Sequence, residues 1–574
     1  MKLHNTGSNL FFKVFPLGFG RNREIFVDLL IIASVWIGLI FIVDPTGEFP
    51  LNDDWLYAKS VLILITNSHI KLMDYISMTL LSNIIWGALF CKLFGFSFLT
   101  LRVSNLVISY IGIGIFYVIL RLFGLKRLVA YLFTGILAFN PIFFSISYTF
   151  MTDNFFLTVI LLSFLFFVFY LKYDSNYYLI PAIFFSVVAT LSRQIGLFLP
   201  LGFGLAVLFF GGLNLRKSIR AFLPFFISLF FLISYYLFLN EYSRVPQSSD
   251  YHTGIIANTL ENPLSIAKSI TKNFLSSIYR IGFFLLPLLP FLIRYLYRLI
   301  GKRKINLIIT SLVLIPSIFS LFYYIDKLPL FWNSIHSGGI GPITLNNFES
   351  LPNSHYSTLP NSFWLVVSFL SILNGSILFS YFVTSFFERI RDFNSFRLNK
   401  QNIFIIFPAF SIIIYWLLFS LTYFFDRYLV IFIPFFIILI IILWGDINSL
   451  IKTHSKILMA LILVFFLGFS VLGTIDYLNW NRIRWNALSE LTFIDGISPL
   501  KINGGYEFNG WYCYYVNTED DSEKTRWLVQ EDEYIVSFDE KKKYNIYKAY
   551  KYQRLLPFHS DTFFILKRKT LQQQ

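Results

Sequence analysis

Apolar runs close to 20 residues long recur along this 574-residue chain, from Ile25 to Ile475. Such a run is what a helix needs to cross the hydrocarbon core of a bilayer. There is no water there to satisfy backbone N–H and C=O groups, so the runs must form helices that bond internally. Crossings are expected at 25–43, 100–120, 128–147, 154–172, 178–192, 196–212, 220–240, 278–298, 305–324, 363–386, 403–424, 429–445 and 456–475, about 13 in all. The chain is 56% hydrophobic and only 14% charged, where soluble chains carry about a quarter charged residues. It therefore reads as an α-helical polytopic membrane protein.

The net charge of +15 is no footprint of nucleic acid. Lys and Arg gather in short loops between apolar runs, as they do in cytoplasmic loops. The densest such loops are Arg216 to Arg220, Lys302 to Lys304 and Arg389 to Lys400. Placing them in the cytoplasm and counting crossings puts residues 1–24 inside. The same count puts Asp53, Asp54 and Asp153 outside, and Arg193 and Arg427 near the outer face. No small-residue cleavage site follows the first run, which reads as a retained anchor. Ser77 to Phe94 is apolar enough to cross, but a crossing there would move the Arg121/Lys126/Arg127 loop outside. It is expected to lie at the outer interface or to dip in partway, anchored by Trp86 and Lys92.

The transmembrane domain thus covers 25–475, with a first outer loop at 44–99. Two further outer loops are expected, Glu241 to Ile278 and Asp326 to Ser362. The second holds the glycine-rich stretch Ser337 to Pro342, which reads as a connecting loop because no strand–helix context surrounds it. From Asp476 the composition becomes ordinary. Alternating stretches such as Tyr534 to Phe538 and Phe563 to Leu566 predict strands. Residues 476–574 are expected to form a small extracytoplasmic α+β domain. Cys91 and Cys513 are far apart and belong to no metal or disulfide pattern.

The chemistry-bearing residues are few. Asp53 and Asp54 follow the first crossing. A carboxylate there suits a general base toward an acceptor hydroxyl or amine, and equally a ligand of a divalent metal ion together with other oxygen donors. Asp153 sits at the outer mouth of a crossing, where an ionisable residue is costly and marks function. Its bland reading is a helix cap by Thr152 or Asp153. Arg193 and Arg427, with Arg102 as a weaker case beside Lys71, His69 and Arg280, are cations suited to a phosphate. The bland readings are snorkelling for Arg193 and a local pair with Asp426 for Arg427. There is no P-loop, no HExxH and no nucleophile elbow. An outward-facing enzyme needs an activated donor already in the membrane.

Asp53-Asp54-x-x-Tyr57-Ala58 resembles the Asp-Glu-x-x-Tyr-Ala motif of bacterial membrane glycosyltransferases, the protein mannosyltransferase-like family with its relative, the lipid A aminoarabinose transferase. Trp86-Gly87-x-x-Phe90-x-x-Leu93-Phe94-Gly95 with Leu101-Arg102, Thr152-Asp153, Ser192-Arg193 and Arg427-Tyr428 with Pro434 follow in the family's order, over roughly residues 20–475. The chain departs from the pattern ahead of Trp86, where Asp74 to Met78 stand in place of a proline-containing pair. The resemblance implies a GT-C bundle and an inverting sugar transfer, on the outer face of the bacterial cytoplasmic membrane, from a polyprenyl-phosphate donor to a lipid, glycan or protein acceptor. It implies Asp53 as base, Asp54 and Asp153 as orienting or metal-binding groups, and Arg193 and Arg427 as holders of the leaving lipid phosphate. Two other outward readings compete: a polysaccharide polymerase or ligase, which would use one very large outer loop, and a transporter, which would show repeats and midplane charges.

Overall fold

An apolar run stays helical until a residue that favours another backbone state interrupts it, and several of the helix ends here have such a residue. The computed structural model describes residues 19–211, 215–242, 262–300, 333–345, 356–390, 400–421, 425–445, 447–514 and 531–569, with a few isolated positions between them. Helix α1 (Phe19–Val43) stops at Asp44, whose φ is 57°. After it come α2 (Asp54–Asn67), α3 (Leu81–Phe94) and α4 (Phe98–Leu122). The Ser97 hydroxyl accepts the Thr100 N–H at 2.9 Å and caps α4. Helices α5 (Arg127–Ala138) and α6 (Pro141–Ser147) meet at a 67° bend. Asn140-Pro141 makes it: Pro ends one helix, and the Asn140 side chain caps the next through Ile142 and Phe143.

The chain continues through α7 (Thr152–Tyr173), α8 (Asn176–Ser192), α9 (Phe198–Gly211) and α10 (Leu215–Glu241). Then follow α11 (Pro263–Phe284), α12 (Leu289–Ile300), α13 (Asn361–Ile390), α14 (Ile403–Ser420) and α15 (Phe432–Trp444). The long α16 (Thr453–Ser489) leads to the short α17 (Tyr506–Cys513). Among the described residues, eight helices are long and apolar enough to cross a membrane, or up to ten if each bent pair is one crossing. Asn176–Ser192 and Gln194–Phe210 are shorter apolar helices. Every expected crossing falls on one of these except 305–324, most of which lies outside the described residues, as do the basic loops at 302–304 and 391–399.

Polar side chains knit the bundle around α4 and α7. Asn105 donates to the Ile146 carbonyl at 2.9 Å, Asn154 to Phe143 at 3.0 Å and Thr158 to Ile108 at 3.0 Å. Gly112 lets Thr158 approach α4; a Cβ there would lie 2.3 Å from its hydroxyl. On the far side, buried Asp28 accepts from Tyr131 at 2.7 Å and pairs with Arg121 at 3.3 Å and with Arg127.

Several expectations are corrected. The 14-residue α3 exposes Ile85, Leu89, Leu93 and Phe94 and buries Asn83, Gly87 and Cys91. The Trp86 ring N–H donates inward to the Ser104 carbonyl at 3.1 Å. The loop expected over Glu241 to Ile278 is helical from Pro263, capped by Asn262. Lys268 and Lys272 hide that turn from a hydropathy reading. The glycine-rich stretch is a hairpin, β1 (Ile335–His336) and β2 (Gly339–Ile340). Its Gly338 and Gly341 amides donate to His336 at 3.1 Å and to Ser334 at 2.9 Å, so they are not turned to a phosphate.

The expected change of domain at Asp476 falls inside α16, which runs unbroken from 453 to 489. Beyond it lies the small C-terminal unit. Its four strands are β3 (Ile502–Asn503), β4 (Tyr534–Ser537), β5 (Tyr544–Leu555) and β6 (Phe558–Arg568), in the order β3-β4-β6-β5. β3 is parallel to β4 and the other pairs are antiparallel. Both predicted strands are present. Asp476 ties the unit to α16 by accepting the Leu555 and Leu556 amides at 2.8 and 2.7 Å.

Candidate active site

The loop between α1 and α2 turns sharply. Asn52 takes a left-handed φ of 53°, which Asn tolerates better than most residues. Asp53 then sits just before α2 and makes no cap hydrogen bond. Its side chain is free to reach sideways and is 22% exposed. Arg427 donates to one of its oxygens at 3.1 Å, and the Tyr506 hydroxyl donates to the other at 3.2 Å.

Arg427 lies in a short 3-10 turn, Asp426–Ile431, that opens into α15. Its Nε stands 3.7 Å from Asp153, whose other oxygen accepts from Arg193 at 2.7 Å. The result is an alternating row: Asp53, Arg427, Asp153, Arg193. The last three side chains are 9% exposed or less. Such charges are costly to bury unless paired, and the alternation pairs each of them. The Tyr428 ring lies 4.3 Å below Arg193 and holds its guanidinium plane.

The ends of α3 and α8 place Arg193. The Leu80 amide donates to Ser192 at 3.0 Å, Thr79 to Thr190 at 2.9 Å, and Gln194 to Ser77 at 2.9 Å. The chain after Arg193 folds back so tightly that a Cβ on Gly196 would come within 2.7 Å of the Thr190 nitrogen.

Four sequence candidates thus meet: Asp53, Asp153, Arg193 and Arg427. Their bland readings do not hold. Met151, not Thr152 or Asp153, occupies the cap of α7, and Arg193 is buried rather than snorkelling. Asp426 accepts the Ser334 amide and hydroxyl at 3.1 and 2.9 Å, and from Arg427 the backbone amide at 2.9 Å rather than the guanidinium.

Asp54 and Arg102 lie elsewhere. Asp54 is 3% exposed, and burial pushes its carboxyl up to about 7, against the pull of the Phe150 amide and Arg102. Arg102 clamps the loop below it, donating to the carbonyls of Gly47 at 3.2 Å and Phe49 at 3.0 Å and to that of Pro45. Of the weaker candidates, Arg280 is buried near Asp426, and His69 bonds its own loop at Asn67.

A divalent cation asks for several oxygen donors. Among the described residues no three His, Cys, Asp or Glu side chains converge, and Asp53 and Asp153 already share Arg427. A cation between them would face two guanidiniums, so this donor set does not suit a metal. The sequence offered Tyr506 only within a stretch, Tyr506 to Trp511, suited to sugar contact or to a turn, and Tyr428 only within the Arg427-Tyr428 motif; it put neither beside Asp53 or Arg193.

Residues 83–238 match the profile of the family described as dolichyl-phosphate-mannose-protein mannosyltransferase. The matched stretch contains Asp153 and Arg193; contact geometry brings Asp53 and Arg427 to it. No curated protein matches the chain in sequence. Among solved structures, the chain is similar to ArnT from Cupriavidus metallidurans bound to undecaprenyl phosphate, at 14% identity over 85% of this chain and 75% of that one, with a TM-score of 0.41. The apo structure of the same protein aligns at 15% identity over 74% and 76%, with a TM-score of 0.33. The resemblance expected from the sequence is borne out by this family match over residues 83–238.

Proposed function

We propose that the protein transfers a sugar, with inversion, from a polyprenyl-phosphate donor to a lipid, glycan or protein acceptor on the outer face of the cytoplasmic membrane. The observation that carries this reading is the row Asp53–Arg427–Asp153–Arg193, with its most exposed carboxylate at one end. Asp53 takes the proton of the acceptor hydroxyl or amine as that atom attacks the anomeric carbon. The bond from that carbon to the phosphate oxygen breaks on the opposite face. Charge grows on the departing lipid phosphate, and Arg193 and Arg427 offset it. Fixed donors of this kind stabilise a transition state because they need no reorganisation when the charge appears. Asp153, between the two guanidiniums, holds them at a set spacing.

The family description, which names a lipid-phosphate sugar, supports the donor class. An apolar cavity of about 270 Å³ among Phe274, Ile278, Phe379, Trp416 and Phe432 would suit a hydrocarbon chain, and Phe432 opens the helix that follows Arg427.

The test is transfer of radiolabel in native membranes from polyprenyl-phosphate mannose, glucose and galactose, with wild type beside Asp53→Asn. Loss of general-base help typically costs about 100-fold or more. Label that moves only with wild type supports the mechanism, and the labelled product names the acceptor class. Equal transfer by Asp53→Asn rules out Asp53 as the base.

A further inference from the structure

The C-terminal unit touches the acidic loop at its most sensitive point. Tyr506 and Glu507 are consecutive residues at the start of α17. The Tyr506 hydroxyl donates to Asp53 at 3.2 Å. The Glu507 carboxylate accepts the amide of Asn52, the residue before Asp53, at 2.9 Å. One residue therefore holds the side chain of the Asp53 turn and its neighbour holds the backbone.

Glu507 is itself fixed. Arg484 of α16 donates to it at 3.1 Å and the Thr344 hydroxyl at 2.7 Å, and the Arg484–Glu507 pair is fully buried, at 0% and 1% exposure. Further along, α17 lies against α2. Gly510 meets the Trp55 ring so closely that a Cβ would fall 2.3 Å from it. Lys59 donates to the Trp511 carbonyl at 2.8 Å. The Trp55 ring packs edge-on against Tyr506 and Tyr514, each at 5.7 Å. Tyr514 closes the far end by donating to Asp74 at 2.6 Å.

We propose that Tyr506 is a positioning residue for Asp53, and that through it the C-terminal unit completes the active site rather than only supporting the bundle. This rests on Asp53 acting as the base. The Asp53 carboxylate has two oxygens and two neighbours. Arg427 is the neighbour a donor phosphate would draw away, since phosphate and carboxylate compete for a guanidinium. Tyr506 is neutral, so a phosphate draws it less strongly than it draws the charged Arg427. It keeps hold of one oxygen and leaves the other aimed at the acceptor, so the carboxylate does not have to be reoriented at the moment of proton transfer.

The experiment compares Tyr506→Phe, Tyr514→Phe and Asp53→Asn in the full-length protein. The Phe variants keep the ring contacts with Trp55 and remove only a hydroxyl. The donors are the labelled polyprenyl-phosphate mannose, glucose and galactose above. Tyr506→Phe is expected to lower kcat about tenfold, the value of one hydrogen bond to a charged group, with donor KM within twofold of wild type. Tyr514→Phe is expected to keep both constants. A double-mutant cycle on melting temperature gives a readout that needs no donor: Tyr506→Phe and Asp53→Asn should be non-additive, and Tyr514→Phe and Asp53→Asn additive. If Asp53→Asn abolishes transfer while Tyr506→Phe keeps wild-type kcat, Tyr506 does not position the base and the inference falls alone. If both Phe variants lose kcat alike, the effect belongs to the packing of the unit and the inference falls. If Asp53→Asn transfers normally, the functional reading falls first. Additivity of Tyr506→Phe with Asp53→Asn overturns the inference whatever the donor.

Discussion

At the scale of single residues, the site is a row of buried charges, and such a row separates stability from activity. Removing one partner of a buried pair leaves an uncompensated charge and costs about 3–5 kcal/mol, whereas replacing both by apolar groups of similar size is often near neutral. Asp153→Leu alone is therefore expected to lower the melting temperature in detergent strongly. Asp153→Leu with Arg193→Met should restore much of the loss, yet transfer no sugar. A double variant that regains activity would remove this pair from the phosphate site. Asp54 behaves differently because burial raises it to about 7 from 3.8. The folded protein holds that proton more tightly than the unfolded chain. Its contribution is complete below about pH 4 and is lost as pH rises through about 7. Thermal stability of wild type should thus fall from pH 5 to pH 8 more than that of Asp54→Asn; parallel curves would show that Asp54 titrates normally. Chelation by EDTA is expected to leave transfer unchanged, since arginines already occupy the carboxylates; a rate lost with EDTA and restored by Mg²⁺ or Mn²⁺ would contradict this. The sequence made Asp53, Asp153, Arg193 and Arg427 legible as charges where apolar residues were expected. Only the resemblance divided labour between Asp53 and Asp54; neighbours in a tight turn point apart, and the turn itself decides which one faces the arginines. The sequence also grouped Arg102 with the phosphate-binding cations, since a charge clamping loop carbonyls looks the same in one dimension.

At the scale of elements, the site depends on turns that hold helix ends in place. Arg193 follows α8 and is fixed by the return of the chain at Gly196. Ala at 196 would press its methyl against the backbone of Thr190 and Ala189, at 2.7 and 2.8 Å. Backbone cannot rotate away as a flexible side chain does, so the turn must open. Overpacking of this kind costs about 1–3 kcal/mol. Gly196→Ala is expected to lower kcat beyond what its modest destabilisation explains, through a displaced Arg193; a destabilised variant with normal kcat would show that the turn serves folding alone. Hydropathy found the apolar helices because their signal is a sum over 20 residues. It missed the first half of α11, where lysines mask a helix begun by Asn262-Pro263, and it ended α16 too early at Asp476. That carboxylate looked like the end of a membrane segment. Inside the structure it accepts two amides of the C-terminal unit while the helix continues. A contact made across some 80 residues leaves no local trace in sequence.

At the scale of the whole molecule, α16 has 37 residues, about 55 Å at 1.5 Å per residue. The hydrocarbon core is about 30 Å thick, so the helix must project well beyond it. Its last turns carry Asp476, Tyr477, Arg484 and Trp485, which are buried against the C-terminal unit and the hairpin rather than facing lipid. One end of α16 therefore belongs with the Asp53 loop and the other with the opposite face, and the C-terminal unit lies on the side of the Asp53 loop. The positive-inside count puts that side outside. Lys452 and Ser560, exposed at the two ends, report it. The native Cys91 and Cys513 are buried, which keeps background labelling low. A membrane-impermeant maleimide applied to intact cells whose outer barrier has been opened should label Ser560→Cys at once, and Lys452→Cys only after the cytoplasmic membrane is permeabilised. The reverse pattern would place the row of aspartates and arginines in the cytoplasm. There a soluble nucleotide sugar would be within reach, and a lipid-borne donor would no longer be required.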